Sequence, residues 1–312
     1  MFFKLYIAIY KRVISMNYIY AIICHRITNP LIFTVKHLLE SDKSIVIIHI
    51  DGKISPKDRN EIYLSLGEHE NLHIISKCES INVRWGHYSQ IKVMLLLMEK
   101  SLEYEFKYFS LISGDDTPIK SNKKREVFFE ESYIDNLEFI GCNPINNGEQ
   151  RLYINHADFL FRKDHSLFKK IIRSVYIQYK SKFHRKDISH LPKIYKGSQW
   201  FSLTDHAIKY IIYYLNSNQN YLSSFEKSLC GDEIFFHTII FNNSELIRNI
   251  YGIDSDIKDC AMGGRYIDWT TGPDFPRTLD ESDIEKISES NLLFARKFKH
   301  DTDFSLLERT MQ

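Results

Sequence analysis

Residues 230–241 read "CGDEIFFHTIIF", which sets Asp232 and Glu233 directly against a run of aromatic and β-branched residues. Two chemistries fit that pair. An acidic residue at the start of a helix can cap its free N–H groups, worth about 0.5–2 kcal/mol, and a second one interacts favourably with the helix's positive end. Alternatively, a single carboxylate fixed on an apolar helix is a general base that takes the proton of an attacking hydroxyl. The spacing alone leaves both open, and Asp232 can cap while Glu233 projects. Further carboxylates end apolar runs: Asp51 in "SIVIIHIDGK", and Asp115 with Asp116 in "YFSLISGDDTP". Literal Asp-x-Asp strings occur at Asp254/Asp256 and Asp301/Asp303, but neither follows a strand-like run, so both read as polar loop. The chain contains neither G-x-G-x-x-G nor G-x-x-x-x-G-K-[ST], nor a G-x-S-x-G elbow, which weighs against dinucleotide, P-loop and hydrolase chemistry.

The elements that must position these groups follow from periodicity. "YIYAIICH" (18–25) and "SIVIIHID" (44–51) read as buried strands, and "PLIFTVKHLLES" between them has helical spacing. "NLHIIS" (71–76), the long helix "GHYSQIKVMLLLMEKSLE" and the strand "YFSLIS" (108–113) continue the alternation. The pattern predicts an α/β fold, a mostly parallel central sheet flanked by helices. In such sheets ligands bind beyond the carboxyl ends of the strands, where Asp51, Asp115 and Asp116 fall. Helices are expected at "SLFKKIIRSVYIQYKSKF", "DHAIKYIIYYLNS" and the stretch beginning at Asp232, with a strand in "SQWFSL". No repeat or Pro/Gly-rich linker divides the chain, so the expectation is one domain over 16–300, a short extension over 1–15 and a tail over 301–312.

Composition narrows the class. Hydrophobic residues make up 44% and charged residues 26%, and 41 Lys+Arg against 40 Asp+Glu leave a net charge of +1, so bulk charge gives no sign of a nucleic-acid partner. The five cysteines are widely spaced without a C-x-x-C pair or a zinc-site spacing, and read as free thiols of a reducing cytosol. "MFFKLYIAIYKRVIS" is apolar but broken by Lys4, Lys11 and Arg12, too short for the ~20 residues of a bilayer span. It reads either as a frayed extension or as a peripheral membrane contact.

Seven blocks in a fixed order carry a resemblance: "HIDGKIS", "INVRWGHYSQIKVMLLLMEK", "YFSLISGDDTPIKSN", "GSQWFSLT", "DEIFFHTII", "RYIDW" and "LLFARKF". Over residues 18–300 the chain resembles the core-2/I-branching β-1,6-N-acetylglucosaminyltransferases and peptide O-xylosyltransferases. The resemblance implies a GT-A-type nucleotide-sugar transferase that inverts the anomeric centre without a metal or other cofactor.

On that resemblance Glu233 is the base, and Arg277 and Lys297 neutralise the departing diphosphate, with Arg296 as an alternative to Arg277. Asp51 reaches the nucleoside and Asp116 lies at the centre of the cleft. Asp51 also sits in a strong turn signal, "DGK", and Asp116 stands just before Pro118 in a turn of its own. Trp200 reads as cleft wall, Trp269 as an acceptor contact and Trp85 as core. Glu149 and Arg151 are candidate acceptor contacts in "NNGEQRLYINHADF", a segment that departs from the animal enzymes. The implied partners are a UDP-sugar, foremost UDP-N-acetylglucosamine, and a glycan or lipid-linked glycan acceptor. The implied setting is bacterial surface polysaccharide or lipopolysaccharide synthesis, in the cytoplasm and peripherally at the inner membrane. UDP-xylose is the alternative donor, and a non-catalytic glycan- or nucleotide-binding relative is the alternative class.

Overall fold

The computed structural model describes residues 17–142, 148–161 and 167–311; the expected extension over 1–15 lies outside them. The chain opens with strand β1 (Asn17–Cys24), helix α1 (Asn29–Leu39), strand β2 (Ser44–Ile50), helix α2 (Pro56–Leu66), strand β3 (Leu72–Ile74), helix α3 (Ser89–Ser101) and strand β4 (Phe106–Ser113). Local chemistry sets the boundaries. Thr28 accepts from the Leu31 N–H (3.1 Å) and Pro30 stands in the first turn of α1, while Ser55 accepts from the Asp58 N–H (3.1 Å) ahead of Pro56 in α2. All seven residues of β2 are buried, the mark of a strand covered on both faces.

The central sheet has the order β3-β2-β1-β4-β6, with β6 spanning Ser202–Thr204. The first four are parallel, with Ile22 opposite both Ile48 and Ile112, and β6 runs antiparallel to β4. The sheet is therefore mostly parallel and helix-flanked, as the sequence pattern predicts. Because the chain builds outward from β1 through β2 to β3 and then recrosses to β4, the carboxyl ends of β1 and β4 flank a switch point, where a crevice opens.

The remaining elements are β5 (Thr117–Pro118), α4 (Asn122–Ile134), α5 (Leu167–Phe183), β6, α6 (Asp205–Ser217), α7 (Gln219–Ser224), α8 (Asp232–Phe241), α9 (Asp259–Met262), β7 (Arg265–Ile267), α10 (Ile284–Ser288), β8 (Phe294–Arg296) and α11 (Ser305–Met311). A second sheet, β5-β8-β7, joins the turn after β4 to the last strand and so carries "FAR" back to the crevice.

Within the expected tail over 301–312, the described residues 301–311 pack on the domain. Phe304, Leu307 and Met311 fall on one helical face and pack with Leu279, Ile284, Ile287 and Phe298. Phe304 stacks on Phe33 of α1 with ring centroids 4.6 Å apart, and the Asn29 N–H donates to the His300 carbonyl (2.8 Å). Apolar residues at i, i+3 and i+7 are the sequence signal for this helix.

Candidate active site

A cavity of about 1720 Å³ opens at the switch point, walled by Cys24, His25 and Arg26 at the end of β1 and by Ser113, Gly114 and Asp115 at the end of β4. It exceeds the ~300–1,000 Å³ of an ordinary small-ligand site, giving room for a donor and an acceptor together.

Helix α8 forms part of its wall. Every residue of α8 except Glu233 is buried, and the Glu233 side chain keeps 34% of its surface exposed, on the cavity. Its Oε2 lies 2.7 Å from Arg151 Nη1 and 3.6 Å from Lys196 Nζ, two cations that also line the cavity. The capping alternative for Asp232 does not hold. Gly231 occupies the N-cap position, no side chain caps the helix, and Asp232 is its first, buried residue. Gln90 Nε2 donates to Asp232 Oδ2 at 3.4 Å, while Oδ1 has no hydrogen-bond partner among the described residues. Burial first, and the neighbouring Glu233 second, push the Asp232 carboxyl up to about 7.

Two glycines permit this construction. Gly86 has a φ of +69°, accepts from the Cys230 N–H (2.7 Å), and a Cβ there would stand 3.1 Å from Cys230 Sγ. Gly197 donates its N–H to the Glu233 carbonyl (3.0 Å), and a Cβ there would fall 2.0 Å from the Gly141 carbonyl oxygen. That approach brings the preceding Lys196 alongside Glu233.

The opposite charge cluster is built on β8. Asp116 is fully buried; it accepts from the Ser113 N–H (2.8 Å) and Ser113 Oγ (2.5 Å) and lies 3.3 Å from Arg296 Nε. Burial raises the proton affinity of Asp116, and Arg296 is the largest influence opposing it. The Arg296 guanidinium stands 4.1 Å over the Trp200 ring. Arg296, Trp200 and Lys297 all line the cavity, whereas Asp116 meets it through its partners Arg296 and Ser113.

Three other expected contacts point elsewhere. Arg277 pairs with Asp283 (3.1 Å) instead of lining the cavity, because the Asp280–Asp283 capping box holds that carboxylate beside it. Arg296, the alternative to Arg277, lines the cavity. The Asp51 carboxylate accepts from the Lys53 N–H (2.9 Å) and the Val83 N–H (3.3 Å), so it closes the "DGK" turn, and Val83 forms the wall in its place. Glu149 is exposed and accepts from the Tyr153 hydroxyl (2.6 Å), away from the cavity that its neighbour Arg151 lines.

Aromatic side chains complete the walls. Trp269 is half exposed on one side, with Ile267, Phe275 and Pro276. Trp85, expected in the core, is half exposed on the cavity instead, since the turn at Gly86 is what packs against Leu229 and Cys230. Lys196, Arg26 and Phe275 went unmarked in the sequence; only Lys196 carried a signal, standing directly before the "GSQWFSLT" block. Among the described residues no three His, Cys, Asp or Glu side chains converge where they could hold a metal ion, and Asp115 pairs with Arg26 at 3.4 Å.

Comparison with known proteins matches the model of the Core-2/I-Branching enzyme family over residues 19–292. The β-glucuronosyltransferase GlcAT14A of Arabidopsis thaliana is 23% identical over 275 residues, covering 82% of this chain and 55% of the relative. GlcAT14B of the same plant is 22% identical over 270 residues, covering 82% and 56%. The chain spans about half the length of the curated relatives it matches. The mostly parallel sheet, with its crevice at the strand ends, is consistent with a GT-A-like fold. Since the family match runs over residues 19–292, from β1 almost to β8 and including helix α8 with Glu233, the chain belongs to the Core-2/I-branching enzyme family.

Proposed function

We propose that this chain is an inverting glycosyltransferase that moves a sugar from a nucleoside-diphosphate donor to a hydroxyl of a glycan acceptor. The observation that carries the reading is Glu233, the one residue of helix α8 that is not buried, whose side chain lines a cavity with Arg296 and Lys297 on its wall. Glu233 takes the proton as the acceptor oxygen attacks the anomeric carbon. On the opposite face the bond to the diphosphate breaks, and the leaving group departs with its electron pair. Arg296 and Lys297 stabilise the developing negative charge, which lets the step run without a metal. Arg151 holds the base in place until acceptor binds, and Trp269 and Phe275 offer apolar faces to a sugar ring.

The proposed donor is UDP-N-acetylglucosamine, on the sequence blocks. A specific observation favours a second donor, UDP-glucuronate: the relatives are named for glucuronosyl transfer, and the cations Arg26 and Lys196 on the wall suit a donor carboxylate. The proposed setting is synthesis of bacterial surface polysaccharide in the cytoplasm at the inner membrane. A panel of UDP-N-acetylglucosamine, UDP-glucuronate and UDP-xylose, with and without chelator, tests the donor, the activity and the metal-free step. Turnover of one donor that survives chelation is expected. Calorimetric binding without turnover of any donor would replace the enzyme with a glycan- or nucleotide-binding module, and loss of turnover on chelation would remove the metal-free step.

A further inference from the structure

Helix α5 carries an apolar face that the fold leaves in solvent. Phe168, Ile171, Ile172, Val175, Tyr179 and Phe183 recur at helical spacing on one side. Phe168 is 71% exposed, Ile171 62% and Val175 61%. The other side faces the protein: Arg173, Tyr176 and Ile177 are partly buried, and the Tyr176 hydroxyl donates to the Asn155 carbonyl (3.0 Å). The helix is thus seated on the domain with its greasier side outward, the reverse of what core packing requires.

Charge identifies the occupant. Residues 167–183 include Lys169, Lys170, Arg173, Lys180 and Lys182 and no Asp or Glu, and Arg185 and Lys186 follow directly. A chain whose net charge is only +1 thus places five cations and no acidic residue on the helix that carries the exposed apolar arc. Aromatic and aliphatic side chains on one face of a wholly basic helix are the composition of a helix that lies in the headgroup region of an anionic membrane. At 17 residues α5 is about 25 Å long, and among the described residues no helix is long and apolar enough to cross a bilayer. The helix would lie along the surface.

We infer that α5 docks this protein onto an anionic lipid surface through Phe168, Ile171, Val175, Tyr179 and Phe183. The contact differs from the one expected of residues 1–15, and it has a consequence for the cleft. Ile172 and Arg173 of the same helix line the large cavity, so docking brings the cavity wall to the headgroup layer, within reach of an acceptor carried on a lipid.

Flotation of the full-length chain with phosphatidylcholine vesicles, with and without phosphatidylglycerol, tests the inference. The wild type should float with the anionic vesicles, be released by raised salt and remain behind with the neutral ones. The triple variant Phe168→Ser/Ile171→Ser/Val175→Ser should lose at least about tenfold in partitioning while melting at the wild-type temperature, since these side chains are exposed. A Lys180→Gln/Lys182→Gln variant should bind more weakly and with less dependence on salt. The inference is overturned if the wild type does not float, or if the triple variant floats as well as the wild type, which would put the contact elsewhere, residues 1–15 included. It is equally overturned if light scattering shows a wild-type dimer that the triple variant converts to monomer without any vesicle binding, because a second copy would then cover the face. None of these readouts needs turnover, so failure of the proposed reaction leaves the test intact.

Discussion

Arg151 Nη1 lies 2.7 Å from Glu233 Oε2, an ion pair that joins a short 3₁₀ segment, Gly148–Arg151, to the first turn of α8 across the rim of the cavity. The pair fixes the carboxylate on a side chain that would otherwise move freely. On the proposed reaction, an acceptor hydroxyl would share Glu233 with a guanidinium. Glu233→Gln is expected to lower kcat by about 10²–10⁴-fold with donor affinity unchanged in calorimetry. Arg151→Ala should cost less in kcat and should weaken acceptor affinity, read as a rise in acceptor KM.

The two cation assignments give opposite outcomes. Arg296→Gln should reduce kcat by about 10²-fold, as removal of one electrostatic stabiliser does, and Lys297→Ala should act in the same direction. Arg277→Ala should leave kcat near wild type and lower only thermal stability, because its partner is Asp283. Side-by-side steady-state kinetics of the three variants separates a cavity cation from a surface one.

Asp232 gives a pH dependence with a defined sign. Its folded-state value of about 7 lies above the ~3.9 of an unfolded Asp, so the native state holds this proton more tightly. The contribution to stability is therefore greatest below about pH 4 and is lost as pH rises through 7. Asp232→Asn, which keeps the neutral shape, should raise the melting temperature by a few degrees at pH 8 and by little at pH 5. Melting curves at the two pH values check the sign.

Gly197→Ala meets the Gly141 carbonyl oxygen, 2.0 Å from where the new Cβ would sit. A destabilisation of about 1–3 kcal/mol is expected, visible in denaturant titration. Activity should fall further than stability, since the Lys196–Gly197 turn rests on the Glu233 carbonyl.

Leu307→Ala removes a fully buried side chain from the cluster of Phe304, Leu279 and Ile287. The expected cost is about 2–5 kcal/mol, measured as a lower unfolding midpoint. A freely hanging tail would show no change.

The alternation of strands and helices, the carboxyl-end location of the cavity and the placement of Glu233 at the head of α8 were all legible in the amino-acid order. These features are local: a strand such as β2, buried along its whole length, writes its burial into consecutive residues, and a helix start writes its position into the residues around it. Helix α11 (Ser305–Met311) carries the same kind of signal in its spacing, although the expectation over 301–312 is a tail. Which charged side chain faces which was not. Arg277 and Arg296 look alike in sequence, yet one is captured by Asp283 six residues on and the other by Asp116, brought in from the end of β4 through the second sheet. Asp51, Glu149 and Trp85 were decided in the same way, by a turn amide, a tyrosine hydroxyl and a glycine that packs in place of the ring beside it. A long or charged side chain reaches several ångströms from its backbone and takes whatever partner the assembled fold presents, so only the tertiary structure settles its direction.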